Sequence, residues 1–125
     1  MARKISISAD EIRAEAELIK SPTAYLLWDT LPINGRANLW GEEIYFEIPL
    51  EAPLESTARE EMEVGEIAFW PPGKAFCIFF GPTPASMGDA PRAASAVNPL
   101  GSITGDAKAF KSVPHGAEVQ IERVE

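Results

Sequence analysis

The sequence has one cysteine, one histidine, no basic surplus and no long apolar run, and each shortage removes a class of function. A lone cysteine can neither close a bridge within the chain nor build a thiolate metal site, so Cys77, between Phe76 and Ile78, reads as a small buried hydrophobe. A lone histidine, His115, sits beside Gly116 in a turn and cannot supply a histidine-rich metal centre. No metal and no other cofactor is expected. Eleven Lys and Arg against nineteen Asp and Glu leave a net charge of −8. That balance repels phosphate backbones and anionic headgroups, which argues against nucleic acid and membrane surfaces as partners. Residues 1–20 lack a basic start followed by an apolar run, and no stretch approaches the roughly 18 apolar residues of a membrane span. A cytoplasmic protein is expected. The segment "GKAF" has neither the Ser or Thr after its lysine nor the upstream glycine spacing of a phosphate loop.

What remains is rich in strand signals. The 125 residues suit one domain, 1–125, large enough to hold a core without staples. "KISIS" alternates, and "IRAEAELI" sets Ile12, Ala14, Ala16 and Leu18 on one face with Arg13, Glu15 and Glu17 on the other. With "ADE" as the turn, the two form a hairpin. In "SPTAYLLWDTLP", Ser21 as N-cap, Pro22 at the first helical position and Pro32 at the end mark a helix whose apolar side is Leu26, Leu27, Leu31 and Trp28. "INGRANLWG" and "EEIYFEIP" read as two further strands, the second with Ile44, Phe46 and Ile48 on one face and Glu43, Tyr45 and Glu47 on the other. "LEAPLESTAREEMEVGE" reads as a solvated connection with one helical turn at residues 56–62.

The segment "FWPPGKAFCIFFGPTP", residues 69–84, reads as the end of a strand, a turn in which Gly73 supplies a positive φ, and a returning strand. Residues 82–99 read as a long loop. A strand, a short helical piece near residues 107–112, a turn and a last strand from Glu118 to Val124 complete the chain. About eight short strands with one or two short helices predict a mainly β, closed antiparallel barrel.

The motifs "LW...LP", "YFEIP", "VGEIAFWPPGKAFCIFFGPTP" and "PRAASAVNPLGSITGD" resemble, in order and over roughly residues 5–124, the small bacterial and archaeal cyclophilin-like proteins. The resemblance implies an eight-stranded antiparallel barrel capped by helices. True cyclophilins, the prolyl isomerases, are more distantly similar: their "FHR" and "FMxQGGD" motifs are absent, and "EEIYFEIP" offers carboxylates where they carry an arginine. An ionised carboxylate cannot donate the hydrogen bond that helps an X-Pro bond over its barrier of about 18–20 kcal/mol.

Among the arginines, Arg36 and Arg92 are the two placed near a cleft, and Arg92 is the better candidate. Glu42, Glu43 and Glu47 could bind a cation or act as acid and base, but read first as a solvated acidic face. On the aromatic strand, Phe76, Ile78 and Phe80 share one face, and Cys77 and Phe79 the other. If the first set fills the barrel, Phe79 with Tyr45 and Trp70 is left for the outer surface, for a pocket under a helix or the long loop, or for a second small core beneath the helix. The expected ligand-binding set is therefore Tyr45, Trp70, Phe79, Pro82, Thr83 and Arg92, a groove edged by aromatics and prolines that takes a small molecule or an extended peptide, with no catalytic residue and no efficient isomerase activity. The alternatives are a weak or divergent prolyl isomerase, and a structural protein acting through self-association into a homo-oligomer.

Overall fold

The computed structural model describes residues 3–124. Strand β1 (Lys4–Ala9) turns at Asp10 into β2 (Ile12–Leu18), and the antiparallel register Lys4↔Glu17 to Ala9↔Ile12 is the hairpin that the alternation predicts. Helix α1 (Pro22–Thr30) follows, with the Ser21 hydroxyl accepting from the Ala24 N–H at 3.2 Å and Pro22 in the first turn. Its core side is Thr23, Ala24 and Leu27, whereas Leu26 and Tyr25 stay exposed.

The expected strand "INGRANLWG" is two short pieces, β3 (Ile33–Arg36) and β4 (Asn38–Leu39), divided at Ala37. The Ala37 N–H donates to the Ala117 carbonyl at 2.8 Å and its own carbonyl accepts from Gly116 at 2.7 Å, so β3 continues onto the last strand and β4 does not. Strand β5 (Glu43–Glu47) pairs with β4. Residues 56–62 form no helical turn. They contain β6 (Arg59–Glu61), which pairs with the start of β9.

Strands β7 (Glu66–Trp70) and β8 (Ala75–Phe79) form the aromatic hairpin, joined by a 3₁₀ turn at Pro71–Gly73. The left-handed residue there is Lys74, φ 49°, and not Gly73. Gly73 is required for another reason: a Cβ would lie 2.7 Å from the Trp70 ring. The expected loop over 82–99 ends at residue 91, because β9 spans Arg92–Ile103 and takes its second part. Pro99 is tolerated in it because the ladder to β7 shifts at Ile67/Ala68, and such an irregularity is where a strand can lack an N–H. A six-residue 3₁₀ segment (Ala107–Ser112) precedes β10 (Glu118–Val124), which pairs with β1 and β3.

The ladder runs β3-β10-β1-β2-β9-β7-β8-β5-β4, with β6 added on β9. The expectation of a closed eight-stranded barrel is thus corrected: the sheet has ten strands and is open. Its ends, β3 and β4, are joined through the chain at Ala37 and by no ladder. Packing still brings the ends together, since Gly35 of β3 leaves room for the Phe46 ring of β5, which a Cβ would meet at 2.4 Å.

Inside the sheet lies the main core, with Ile5, Ile7, Phe46, Ile67, Phe69, Phe76, Ile78, Leu100 and Ile121 all buried, α1 contributing Ala24 and Leu27, and Leu31 joining just after its end. Each such aliphatic or aromatic side chain contributes about 1.5–3 kcal/mol by leaving water.

Candidate functional site

A second, smaller cluster occupies the opposite face of β5, β7 and β8. It comprises Met62, Ala68, Ala75, Cys77, Phe79, Ala93 and Val97, with Tyr45 and Trp70 packed against it. The period of two in "AFCIFF" separates the two faces: Phe76, Ile78 and Phe80 enter the main core, Cys77 and Phe79 the second. The second cluster is not beneath α1, which covers the main core. Its cover is the first half of β9, whose residues pair with β6 while the second half pairs with β7 and β2.

A pocket of about 220 Å³ opens beside this cluster. Trp40, Glu43 and Tyr45 of the β4–β5 hairpin line it, with Trp70 of β7, Cys77 of β8, and Ala93, Ala94 and Val97 of β9. Space is left because β9 presents small side chains to three large aromatic rings. The stretch "WGEE" builds one wall. Trp40 and Glu43 exchange backbone hydrogen bonds of 2.9 and 3.2 Å across Gly41 and Glu42. Gly41 takes φ 61°, as the first position of a tight hairpin turn favours. Trp70 is fixed on the other side, its indole N–H donating to the Ser95 hydroxyl at 2.6 Å.

Glu43 is the unexpected member. Its position on an alternating acidic face predicts a solvated carboxylate, yet the residue is only 6% exposed. Its Oε1 is buried with no hydrogen-bond partner. Glu42, next to it, is turned away toward Lys111, at 3.3 Å. Burial pushes the Glu43 carboxyl from 4.5 up to about 7, with the neighbouring Cys77 thiol acting in the other direction. Cys77 itself is driven well above its ordinary value, first by burial and then by the Glu43 charge, which leaves it an unreactive thiol.

Of the expected binding residues, the pocket unites Tyr45 and Trp70. Phe79 is fully buried in the cluster and does not reach the pocket wall. Pro82 and Thr83 hold the wall from outside. The Pro82 carbonyl accepts from the Glu42 N–H at 2.9 Å, and a Cβ on Gly41 would come within 2.8 Å of Thr83 Cα. Thr83 also donates its hydroxyl to the Arg92 carbonyl. The Arg92 side chain leaves the pocket: it pairs with Glu60 at 2.9 Å and lines a separate groove with Met62 and Pro91. Arg36 is exposed and donates to the Gly116 carbonyl at 3.2 Å. Trp40, Ala93, Ala94 and Val97 escaped the sequence reading, which weighed Glu43 and set it on a solvated face. The signal for Glu43 was its place two residues before Tyr45 on the same strand face; nothing in the sequence told that β9 covers that face.

The site provides one carboxyl of near-neutral affinity for protons inside an aromatic wall, a setting for binding through a polar anchor and for proton exchange with a bound group. Among the described residues, no group of three or more His, Cys, Asp or Glu could hold a metal ion. No described helix is long and apolar enough to cross a membrane.

None of the curated proteins compared with the chain matches it. The solution structure of a hypothetical protein from Archaeoglobus fulgidus superimposes with a TM-score of 0.84 at 39% identity, covering 98% of this chain and 95% of that one. A sequence model described as Cyclophilin-like matches residues 3–122. Matched over nearly its whole described length, the chain belongs to the cyclophilin-like family.

Proposed function

We propose that the protein is a binding domain for a small molecule, seated between Trp40, Tyr45 and Trp70 against Glu43, without efficient prolyl isomerase activity. The observation that carries this reading is that Glu43, one of whose carboxyl oxygens is buried without a partner, lines an aromatic pocket. A buried polar atom without a hydrogen bond costs about 1–3 kcal/mol, and more when charged, so a ligand that satisfies it gains more than contact area alone.

Size favours a small molecule over an extended peptide. A cavity of roughly 150 Å³ takes one benzene-sized ring. The pocket, at about 220 Å³, has room for one ring and a short substituent. A peptide would enter by one side chain only. A cytoplasmic location fits the sparse cysteine content.

A thermal-shift screen of single-ring compounds and proline tetrapeptides, run on the wild type and on Trp70→Ala, tests the reading. Single-ring compounds should raise the melting temperature of the wild type and not of the variant. Stabilisation by the tetrapeptides alone would overturn it.

A further inference from the structure

We propose that the ligand is a compact organic cation, an ammonium or amidinium group carried on a single ring, with the Glu43 carboxylate as its counter-ion and the pocket aromatics around it. The inference rests on the binding-site reading above and adds the chemical class. Three observations support it.

The polar provision of the pocket is an acceptor. Glu43 Oε1 is buried and unpartnered, whereas the indole N–H of Trp70 is already committed to Ser95. The pocket also holds no positive charge of its own, since no Lys, Arg or His is among its lining residues. Where it is ionised, a carboxylate in such a place is stabilised by a cation, and none of the lining residues brings one. Finally, the walls are Trp40, Tyr45 and Trp70, whose π-faces attract cations most strongly where water is displaced. The chain's net charge of −8 draws cations toward the mouth and repels anions.

The pairing makes affinity depend on pH. Facing Glu43, β5 presents Tyr45, β8 presents Cys77, and β7 and β9 present Trp70, Ala93, Ala94 and Val97. Glu43 is therefore the group in the pocket that changes charge near neutrality, its carboxyl lying at about 7. Cation affinity should rise as pH is raised through that value. A ligand accepting a hydrogen bond from the protonated acid would show the opposite trend.

The test uses three probes of nearly equal shape, benzylammonium, benzyl alcohol and benzoate. Binding is read from the tryptophan indole N–H resonances and from fluorescence, at pH 8.5 and pH 5.5, on the wild type and Glu43→Gln. At pH 8.5 the wild type should bind benzylammonium about tenfold more tightly than benzyl alcohol, as a partly desolvated charge pair with aromatic contact implies. Benzoate should bind weakest. The preference should disappear in Glu43→Gln and shrink at pH 5.5. Equal affinity for benzylammonium and benzyl alcohol, insensitive to Glu43→Gln, would overturn the cation assignment and leave the binding pocket standing. Preference for benzoate, or tighter binding at pH 5.5, would also overturn it. Absence of any shift with all three probes would remove the pocket reading and this inference together.

Discussion

Glu43 shows how an alternating pattern can name a face and still miss its environment. The period of two places Glu43, Tyr45 and Glu47 together, and Glu47 is indeed exposed while Glu43 is buried. The difference is the cover. Trp40 from the turn and Ala93 and Ala94 from β9 stand around Glu43, whereas Glu47 lies at the open end of β5. The consequence for stability has a definite sign. Because the folded-state carboxyl is raised from 4.5 to about 7, the folded protein holds its proton more tightly than the unfolded chain. The stability linked to that proton is fully present below about pH 4.5 and is lost as pH rises through about 7, a change on the order of 3 kcal/mol. Glu43→Gln lacks this titration. Denaturant unfolding at pH 5 and pH 9 should show the variant gaining on the wild type by up to about 3 kcal/mol at the higher pH. An unchanging difference between the two pH values would mean that the carboxyl is not held in a desolvated site.

At the scale of elements, β9 decides both the fold and the pocket. The proline, glycine and alanine content of residues 82–99 predicts a loop, but β9 begins at Arg92 and accommodates Pro99 at a ladder irregularity. Beside that irregularity Asn98 is fully buried, and both polar atoms of its amide have partners. Its Oδ1 accepts from the Glu55 N–H at 2.9 Å, and its Nδ2 donates to the Pro53 carbonyl at 2.9 Å and to the Thr23 hydroxyl at 3.1 Å. Thr23 and Glu55 are joined in turn, the Thr23 N–H donating to the Glu55 carboxylate at 2.9 Å. One residue thus ties α1 and the acidic connection to β9. Asn98→Leu keeps the bulk but orphans the Glu55 N–H and the Pro53 carbonyl, each costing about 1–3 kcal/mol when buried. A loss of roughly 2–4 kcal/mol in denaturant unfolding is expected. A loss below about 0.5 kcal/mol, as for an ordinary surface change, would show that the network does not hold these elements together.

For the whole molecule, the open ladder and the location of the arginines bear on activity. Membership of the cyclophilin-like family brings a fold, but catalysis must come from groups in the site. Lowering the X-Pro barrier of about 18–20 kcal/mol asks for a donor aimed at the twisted amide in a dry pocket. Here the lining residues include a carboxyl and no arginine, and Arg92 is engaged with Glu60 beside a different groove. Isomerisation of a proline tetrapeptide should accordingly run at its spontaneous rate in the presence of the protein. A rate well above background that vanishes in Trp70→Ala would assign the pocket to catalysis after all.

The sequence by itself determined the elements whose signals are local. Alternation specified the β1–β2 hairpin and the two faces of β8, and Ser21, Pro22 and Pro32 bounded α1, because side-chain period and capping act within a few residues. It also carried Tyr45 and Trp70 to the candidate site. Only the tertiary structure decided that the ladder stays open at Ala37, that β9 replaces a loop, and that Glu43 is buried with an orphaned oxygen. Those outcomes depend on partners far along the chain, Gly116 and Ala117 for Ala37, β6 and β7 for β9, and Ala93 with Trp70 for Glu43. Strand pairing and desolvation between distant segments leave no period in the local sequence, and it is these contacts that turned an acidic strand face into a pocket.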